Sequence, residues 1–119
     1  MKVISIHDAT AEPFIHSVFT GPDVTRQKLA PGSSELEVTV VNFGKGVRNK
    51  FHSHDTEQIL IVISGEGTVA TRDEEHIVSR GDVIFIPAGE THRHGATSKA
   101  EFSHIFVQRK NSVLTQIEE

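Results

Sequence analysis

Residues that favour turns interrupt this chain of 119 residues at intervals too short for a long helix. Glycine or proline recurs around positions 21–22, 31–32, 44–46, 65–67, 81–82, 87–89 and 95. The segments between these positions are short and rich in valine, isoleucine, phenylalanine and threonine, which favour strands. No window shows helical spacing of apolar residues with flanking caps. Many short strands at near-regular spacing predict an all-β sandwich or barrel.

Four segments carry the strand prediction. Residues 35–43 alternate between apolar and polar side chains, which is typical of a strand with one buried face. Residues 58–63 are apolar at nearly every position, as expected of a strand covered on both faces. Residues 83–86 and 101–108 follow the same pattern. The first thirty residues carry weaker strand signals, so we expect them to wrap the barrel edge or to reach a partner subunit.

Length and composition favour one globular domain over residues 1–119, because the chain is long enough to bury a core but too short for two. No apolar run approaches the roughly 20 residues of a membrane-spanning helix, so we expect no membrane partner. The N-terminus lacks the pattern of a secretory signal, and a cytoplasmic location is the expectation. The net charge of −4 and the scattered basic residues also argue against a nucleic-acid partner.

Histidine is in excess, and its spacing indicates a metal site. The chain has 8 histidines and no cysteine, so ligands must be nitrogen or oxygen atoms. His52 and His54 are two residues apart, so on a strand both side chains leave the same face and can converge on one ion. A bend then returns the chain as the next strand, on which Gln58 faces the interior, and a later turn delivers His92. These four residues are the predicted metal ligands.

The oxygen ligand has an alternative in Glu57, which as a carboxylate is the better ligand chemically. Gln58 is preferred because it shares strand parity with Leu60 and Val62, and a shift of one residue turns a side chain to the opposite face. A neutral ligand set leaves a divalent ion with its whole charge, as a Lewis acid requires. The donors suit manganese, iron, nickel, copper or zinc, and the sequence does not choose among them. Four protein ligands leave positions for water or a small-molecule substrate.

Two further histidines are candidate catalytic residues. His94 shares strand parity with His92, so it either lines the pocket as an acid–base group or lies in solvent at the barrel mouth. His104 shares parity with Phe102 and Phe106, and an inward imidazole among phenylalanines needs a polar partner. We predict that His104 is a proton shuttle or substrate anchor, the alternative being a core histidine held by such a partner. The other histidines are expected on the surface: His7, His16 and His76.

The spacing of these residues resembles the two motifs of the cupin superfamily. The first motif is a glycine, five residues, His-x-His, three or four residues, a glutamate, six residues and a glycine. Residues 46–65 match it, with Gln58 in the glutamate position. The second motif is a glycine, five residues, Pro-x-Gly, two residues, a histidine, three residues and an asparagine. Residues 81–96 match it except that Ala96 replaces the asparagine, and 15 residues separate the motifs, as in short single-domain cupins.

The resemblance implies a double-stranded β-helix, or jelly-roll barrel, that holds one divalent transition metal ion. It implies two kinds of reaction on a small oxygen-bearing molecule: dioxygen-dependent oxidation, or isomerase, lyase or decarboxylase chemistry that needs only a Lewis acid. It also implies a homodimer, because cupins of this kind commonly pair through their sheets. The alternative to an enzyme is a non-catalytic domain that binds a small molecule or a metal as a sensor or store. A purely structural metal site is disfavoured, because closed sites prefer thiolates.

Overall fold

Ten β-strands build the fold, and the all-β prediction is confirmed. The computed structural model describes residues 1–119. Apart from the strands, the regular structure is one 3₁₀-helix, Ile6–Asp8. None of the helical structure is long or apolar enough to span a bilayer. In chain order the strands are β1 (Glu12–Pro13), β2 (Val24–Lys28), β3 (Leu36–Phe43), β4 (His52–His54), β5 (Gln58–Ala70), β6 (Glu75–Ser79), β7 (Val83–Ile86), β8 (Arg93–Ala96), β9 (Phe102–Arg109) and β10 (Leu114–Gln116).

The strands form a curled antiparallel sheet of eight members, and β4 and β10 pair separately. Neighbouring strands in the sheet follow the order β1-β2-β3-β9-β5-β6. The first thirty residues therefore supply strands at the edge of the sheet, which was the first of the two predicted alternatives. β5 is the longest strand: its first part lies between β9 and β7, and its second part pairs with β6 and β8. A register shift between Val62 and Ser64 marks the change. This curled arrangement is the predicted jelly-roll barrel.

The strand predicted over residues 58–63 was ended too early, because β5 continues to Ala70 through Gly65 and Gly67. Gly65 has a φ of +78°, and a Cβ there would overlap the backbone oxygen of Glu101. This glycine therefore permits a close approach of the strands and not a chain reversal. The same holds for Gly95, which lies inside β8, where a Cβ would overlap Arg48.

The core lies on the inner face of the sheet, and the outer face of β5 and β7 remains open. Along β5 the side chains alternate, so that Leu60 and Val62 are buried while Ile59 is 39% exposed. Val83 and Phe85 on the adjoining β7 are 64% and 56% exposed. The prediction that residues 58–63 are covered on both faces is therefore wrong for the single chain. The inner face positions the candidate site, because the alternate residues of β5 begin with Gln58.

Candidate metal centre

The predicted imidazole ligands lie on two segments joined by backbone hydrogen bonds. β4 is a strand of three residues, and its first residue, His52, forms a bridge with His92. The His52 amide donates to the His92 carbonyl at 3.0 Å, and the His92 amide donates back at 2.9 Å. β10 pairs with the other edge of β4, placing Leu114 opposite His54 and Gln116 opposite His52. The backbone thus holds the His-x-His pair next to the third histidine.

The three rings converge on one point. Ring nitrogens of His52, His54 and His92 all lie within 4.8 Å of one another. His52 Nδ1 lies 2.6 Å from the Lys50 carbonyl, and His92 Nδ1 lies 2.8 Å from the Glu90 carbonyl. Because a carbonyl only accepts hydrogen bonds, both Nδ1 atoms carry the proton. The Nε2 atom of each of these two rings is then the one with a free electron pair, as a metal ligand requires.

Several buried polar atoms at this point have no partner within the protein. They are both ring nitrogens of His54, the Nε2 of His92 and the Oε1 of Gln58. A buried polar group without a partner costs about 1–3 kcal/mol, so such groups rarely cluster by chance. The Nε2 of His92, the Oε1 of Gln58 and whichever ring nitrogen of neutral His54 lacks the proton can each donate an electron pair, and together they fit a divalent transition metal ion. The competing oxygen ligand, Glu57, is exposed, whereas the side chain of Gln58 is buried.

Burial keeps the three candidate imidazole ligands uncharged. It is the main cause that lowers the pKa of His52 to about 3, and the proximity of His92 adds to the shift. The same two causes lower the pKa of His54 to about 4. Burial also lowers the pKa of His92. Neutral imidazole is the form that binds a metal, so at neutral pH the site needs no proton release from these rings.

The two candidate catalytic histidines form a buried pair beside the cluster. His94 Nδ1 lies 3.1 Å from His104 Nε2, so the two rings share a hydrogen bond. His94 is fully buried, and burial followed by the proximity of His104 holds its pKa well below the ordinary value. Burial lowers the pKa of His104 to about 4. The His94 ring centroid lies 5.8 Å from the centroids of both His52 and His92. His104 is therefore linked to the three candidate ligand histidines through His94 and does not contact them directly.

Asn49 holds this histidine pair and was not predicted from the sequence. Its Oδ1 accepts the backbone N–H of His94 at 2.7 Å. Its Nδ2 lies 3.2 Å from the Nε2 of the same ring. The chain around Asn49 forms only isolated bridges, so no strand pattern indicates that the side chain is buried.

A cavity of about 220 Å³ brings both groups of residues together. His52, His54 and Gln58 lie in its wall together with His94 and His104. The apolar part of the wall has seven residues: Phe14, Val18, Phe19, Val41, Phe43, Phe106 and Leu114. A larger groove of about 460 Å³ lies by β6 and β7 and meets this set of histidines only at His92. The smaller cavity is therefore the candidate substrate site.

Two basic residues at the cavity were also not predicted. Arg26 and Lys28 of β2 line the wall, and the Nε of Arg26 donates to Glu12 at 2.8 Å. They share strand parity with the buried Val24, which is the only sequence signal that could have identified them. The remaining histidines are exposed, as predicted: His7, His16 and His76.

Comparison of the sequence with known proteins identifies a family and several relatives. The profile of the Cupin domain family matches residues 39–107. The (R)-mandelonitrile lyase of Granulicella tundricola is 33% identical over 83 residues, which are 68% of this chain and 63% of the lyase. Auxin-binding protein 4 of Zea mays is 29% identical over 105 residues, which are 81% of this chain and 48% of that protein. The chain thus spans less than two thirds of the length of these curated relatives.

Two solved structures show the same architecture. A cupin-like protein from Thermotoga maritima superposes with a TM-score of 0.85 at 30% identity, covering 98% of this chain and 90% of its own. The polyketide cyclase RemF from Streptomyces resistomycificus superposes with a TM-score of 0.88 at 21% identity, covering 100% of this chain and 87% of its own. The second likeness shows the fold alone.

Proposed function

This chain belongs to the Cupin domain family, and on that premise we propose that it is a metal-dependent enzyme that moves a proton on a small oxygen-bearing molecule. The observation that carries the proposal is the position of the His94–His104 pair. Both rings line the same cavity of about 220 Å³ as three of the candidate ligands, His52, His54 and Gln58. This volume lies below the roughly 300–1,000 Å³ of pockets for drug-sized ligands, so the cavity suits only a smaller molecule.

Four side chains would hold the ion: His52, His54, Gln58 and His92. A divalent manganese, iron, nickel, copper or zinc ion bound there supplies a Lewis acid that polarises a substrate oxygen. Because three imidazoles and one amide are all neutral, the protein does not reduce the charge that such chemistry uses. A glutamate in place of Gln58 would reduce it by one unit.

The histidine pair supplies the proton transfer in this proposal. In the neutral pair one proton lies in the hydrogen bond between His94 Nδ1 and His104 Nε2, and the second is on one of the two remaining ring nitrogens. The other of these, either His94 Nε2 or His104 Nδ1, has the free electron pair that can accept a proton. Burial lowers the pKa of both rings, so both are neutral at neutral pH, and the pair is a weak base that holds an added proton only transiently. Once protonated, the buried pair is a strong acid and returns the proton to the product. Asn49 keeps His94 in place during the exchange.

Hydrogen–deuterium exchange at carbon tests the proposed proton transfer. Small hydroxy- and keto-compounds are incubated in D₂O with the metal-loaded protein, and deuterium uptake is followed by NMR. We expect uptake at the carbon next to the substrate oxygen and a fall of at least about 100-fold in His94→Asn, the lower end for general acid–base catalysis. The matched control is His76→Asn, which changes an exposed histidine outside the cavity. Binding of a compound without exchange contradicts the proposal and supports the non-catalytic binding domain.

Oxygen consumption distinguishes dioxygen-dependent oxidation from the proposed proton transfer. The sequence left dioxygen-dependent oxidation open beside isomerase, lyase and decarboxylase chemistry. Substrate-dependent loss of dioxygen from the solution, measured with an oxygen electrode on iron-, copper- or manganese-loaded protein, would assign the oxidation class. Deuterium uptake without loss of dioxygen assigns the proton-transfer class.

We also propose that the chain forms a homodimer through the outer face of β5 and β7. Ile59 of β5 lies opposite Phe85 of β7, and both are exposed, as is the neighbouring Val83. Adjacent exposed apolar side chains on one sheet mark an interaction surface. Light scattering should give twice the chain mass for the wild type and one chain mass for Phe85→Glu. Val113→Glu changes an apolar residue of similar exposure elsewhere and should remain dimeric, while a monomeric wild type would rule out the dimer.

A further inference from the structure

A row of three polar side chains crosses the inner face of the sheet and ends at the candidate metal site. Glu37 of β3 lies opposite Gln108 of β9, which lies opposite Gln58 of β5. The Nε2 of Gln108 donates to a Glu37 carboxylate oxygen at 2.8 Å. The Nε2 of Gln58 donates to the Oε1 of Gln108 at 3.0 Å. The Oε1 of Gln58 is buried without a hydrogen-bond partner, and Gln58 lines the same cavity as His52 and His54.

The carboxylate determines the direction of this row. A carboxylate only accepts hydrogen bonds, so Gln108 must turn its NH₂ group towards Glu37. The oxygen of Gln108 then faces Gln58, which must offer its own NH₂ group in turn. Reversing either amide would bring two acceptors or two donors together. The remaining group of Gln58, its oxygen, is left on the side of the histidines.

The orientation of the Gln58 amide decides whether this residue can bind a metal ion. An amide binds a metal ion through its oxygen, whereas its NH₂ group is donor only and repels a cation. The two ends of a glutamine side chain have nearly the same shape, so packing does not distinguish them. A glutamate has two equivalent oxygens and needs no such control. The requirement therefore arises because this chain has glutamine where the cupin motif has glutamate.

We infer that Glu37 is a positioning residue that acts through Gln108 to turn the amide oxygen of Gln58 towards the metal site. The inference rests on the proposed metal site for its function, while the direction of the row is a property of the metal-free protein. Glu37 itself contacts Gln108, and Gln108 lies between it and the site.

The inference is tested by introducing Glu37→Gln into the wild type and into Gln58→Glu, where it should have opposite effects on zinc affinity. In the wild type, Glu37→Gln replaces the obligate acceptor with a group that can present either end, so zinc affinity should fall about tenfold, as for other partners of metal ligands. In Gln58→Glu, the new carboxylate needs the NH₂ group of Gln108, which then turns its oxygen towards Glu37. Here the added Glu37→Gln supplies a donor to that oxygen, so the same substitution should raise zinc affinity about tenfold. Zinc dissociation constants are measured by competition with a coloured chelator.

The control separates direction from charge. Glu35→Gln removes the same charge from an exposed residue whose side chain makes no hydrogen bond, and it should leave affinity unchanged in both backgrounds. If Glu37 acted only by attracting the cation, Glu37→Gln would weaken zinc binding in both backgrounds. That result, or no effect in either background, would overturn the inference.

The metal-free variants test the direction of the row separately. With a chelator present, Glu37→Gln should raise the thermal midpoint of Gln58→Glu by several degrees and lower or leave unchanged that of the wild type. If the wild type bound no zinc, the metal-site proposal would fail, and these midpoints would still decide the inference. Midpoints that shift in the same direction in both backgrounds overturn it.

Discussion

Acidification of the metal-free protein should destabilise it strongly, because its buried histidines are neutral when folded. Burial lowers the pKa of His52 to about 3 and those of His54 and His104 to about 4. In the unfolded chain each returns to an ordinary value of about 6.5. The unfolded state therefore binds protons first as the pH falls. The resulting stability is complete above about pH 6.5 and is lost as the pH falls from there towards the folded values near 4.

The size of the effect follows from these values. Lowering the pH from 7.5 to 5.5 stabilises the unfolded state by about 1.4 kcal/mol for each histidine that stays unprotonated in the folded state. These three histidines alone give about 4 kcal/mol, and His94, whose pKa burial also holds well below the ordinary value, adds to this loss. Carboxylates with ordinary values stay ionised in both states over this range and contribute little. A domain has only about 5–15 kcal/mol of stability, so the loss is a large fraction of it.

Urea unfolding in a chelator at the two pH values measures this loss. The chain has no tryptophan or tyrosine, so circular dichroism of the strands is the appropriate signal. His104→Asn should lose about 1.4 kcal/mol less stability than the wild type between the two pH values, while His76→Asn, at an exposed position, should behave as the wild type. A free energy of unfolding that changes by less than about 1 kcal/mol would refute the reasoning that these rings are buried and neutral.

Further predictions concern the ligands and the framework. Replacing His52 and His92 together with alanine should abolish stoichiometric metal in the purified protein, and unchanged metal by elemental analysis would contradict the ligand assignment. Gly65→Ala should lower the free energy of unfolding by more than about 1 kcal/mol in urea titrations, since its φ of +78° and the contact with Glu101 disfavour a Cβ, and an unchanged midpoint would count against that contact. Leu60→Ala, at a fully buried position, should cost about 2–5 kcal/mol by the same titration.

The strands that the sequence predicted are those with a clear apolar signal, either alternating, as in β3, or nearly continuous. β3, β7 and β9 begin and end within one residue of their predicted bounds. β6 and β10 were missed because most of their residues are at least partly exposed and no apolar alternation marks them. The end of β5 was misplaced because glycine marks a turn and a close strand approach in the same way, and only the position of Glu101 distinguishes them.

The sequence likewise predicted only those features of the candidate site that depend on local spacing. Spacing within one strand predicted that His52 and His54 share a face, and parity favoured Gln58 over Glu57, which the structure leaves exposed. Glu37 and Gln108 could not be connected to the site, because their meeting depends on the register between β3, β9 and β5. Register between distant strands is set by the whole sheet and leaves no local pattern.

The pairing of β4 with β10 has a consequence for the order of events during synthesis. The strand that carries His52 and His54 is joined along one edge to residues 114–116, about 60 positions further along the chain. A ribosome therefore releases the two histidines well before the strand that braces them exists. Until residue 116 has emerged, the nascent chain has the candidate nitrogen donors without the strand that pairs with them, so a metal that needs the assembled site would bind only after the barrel has closed.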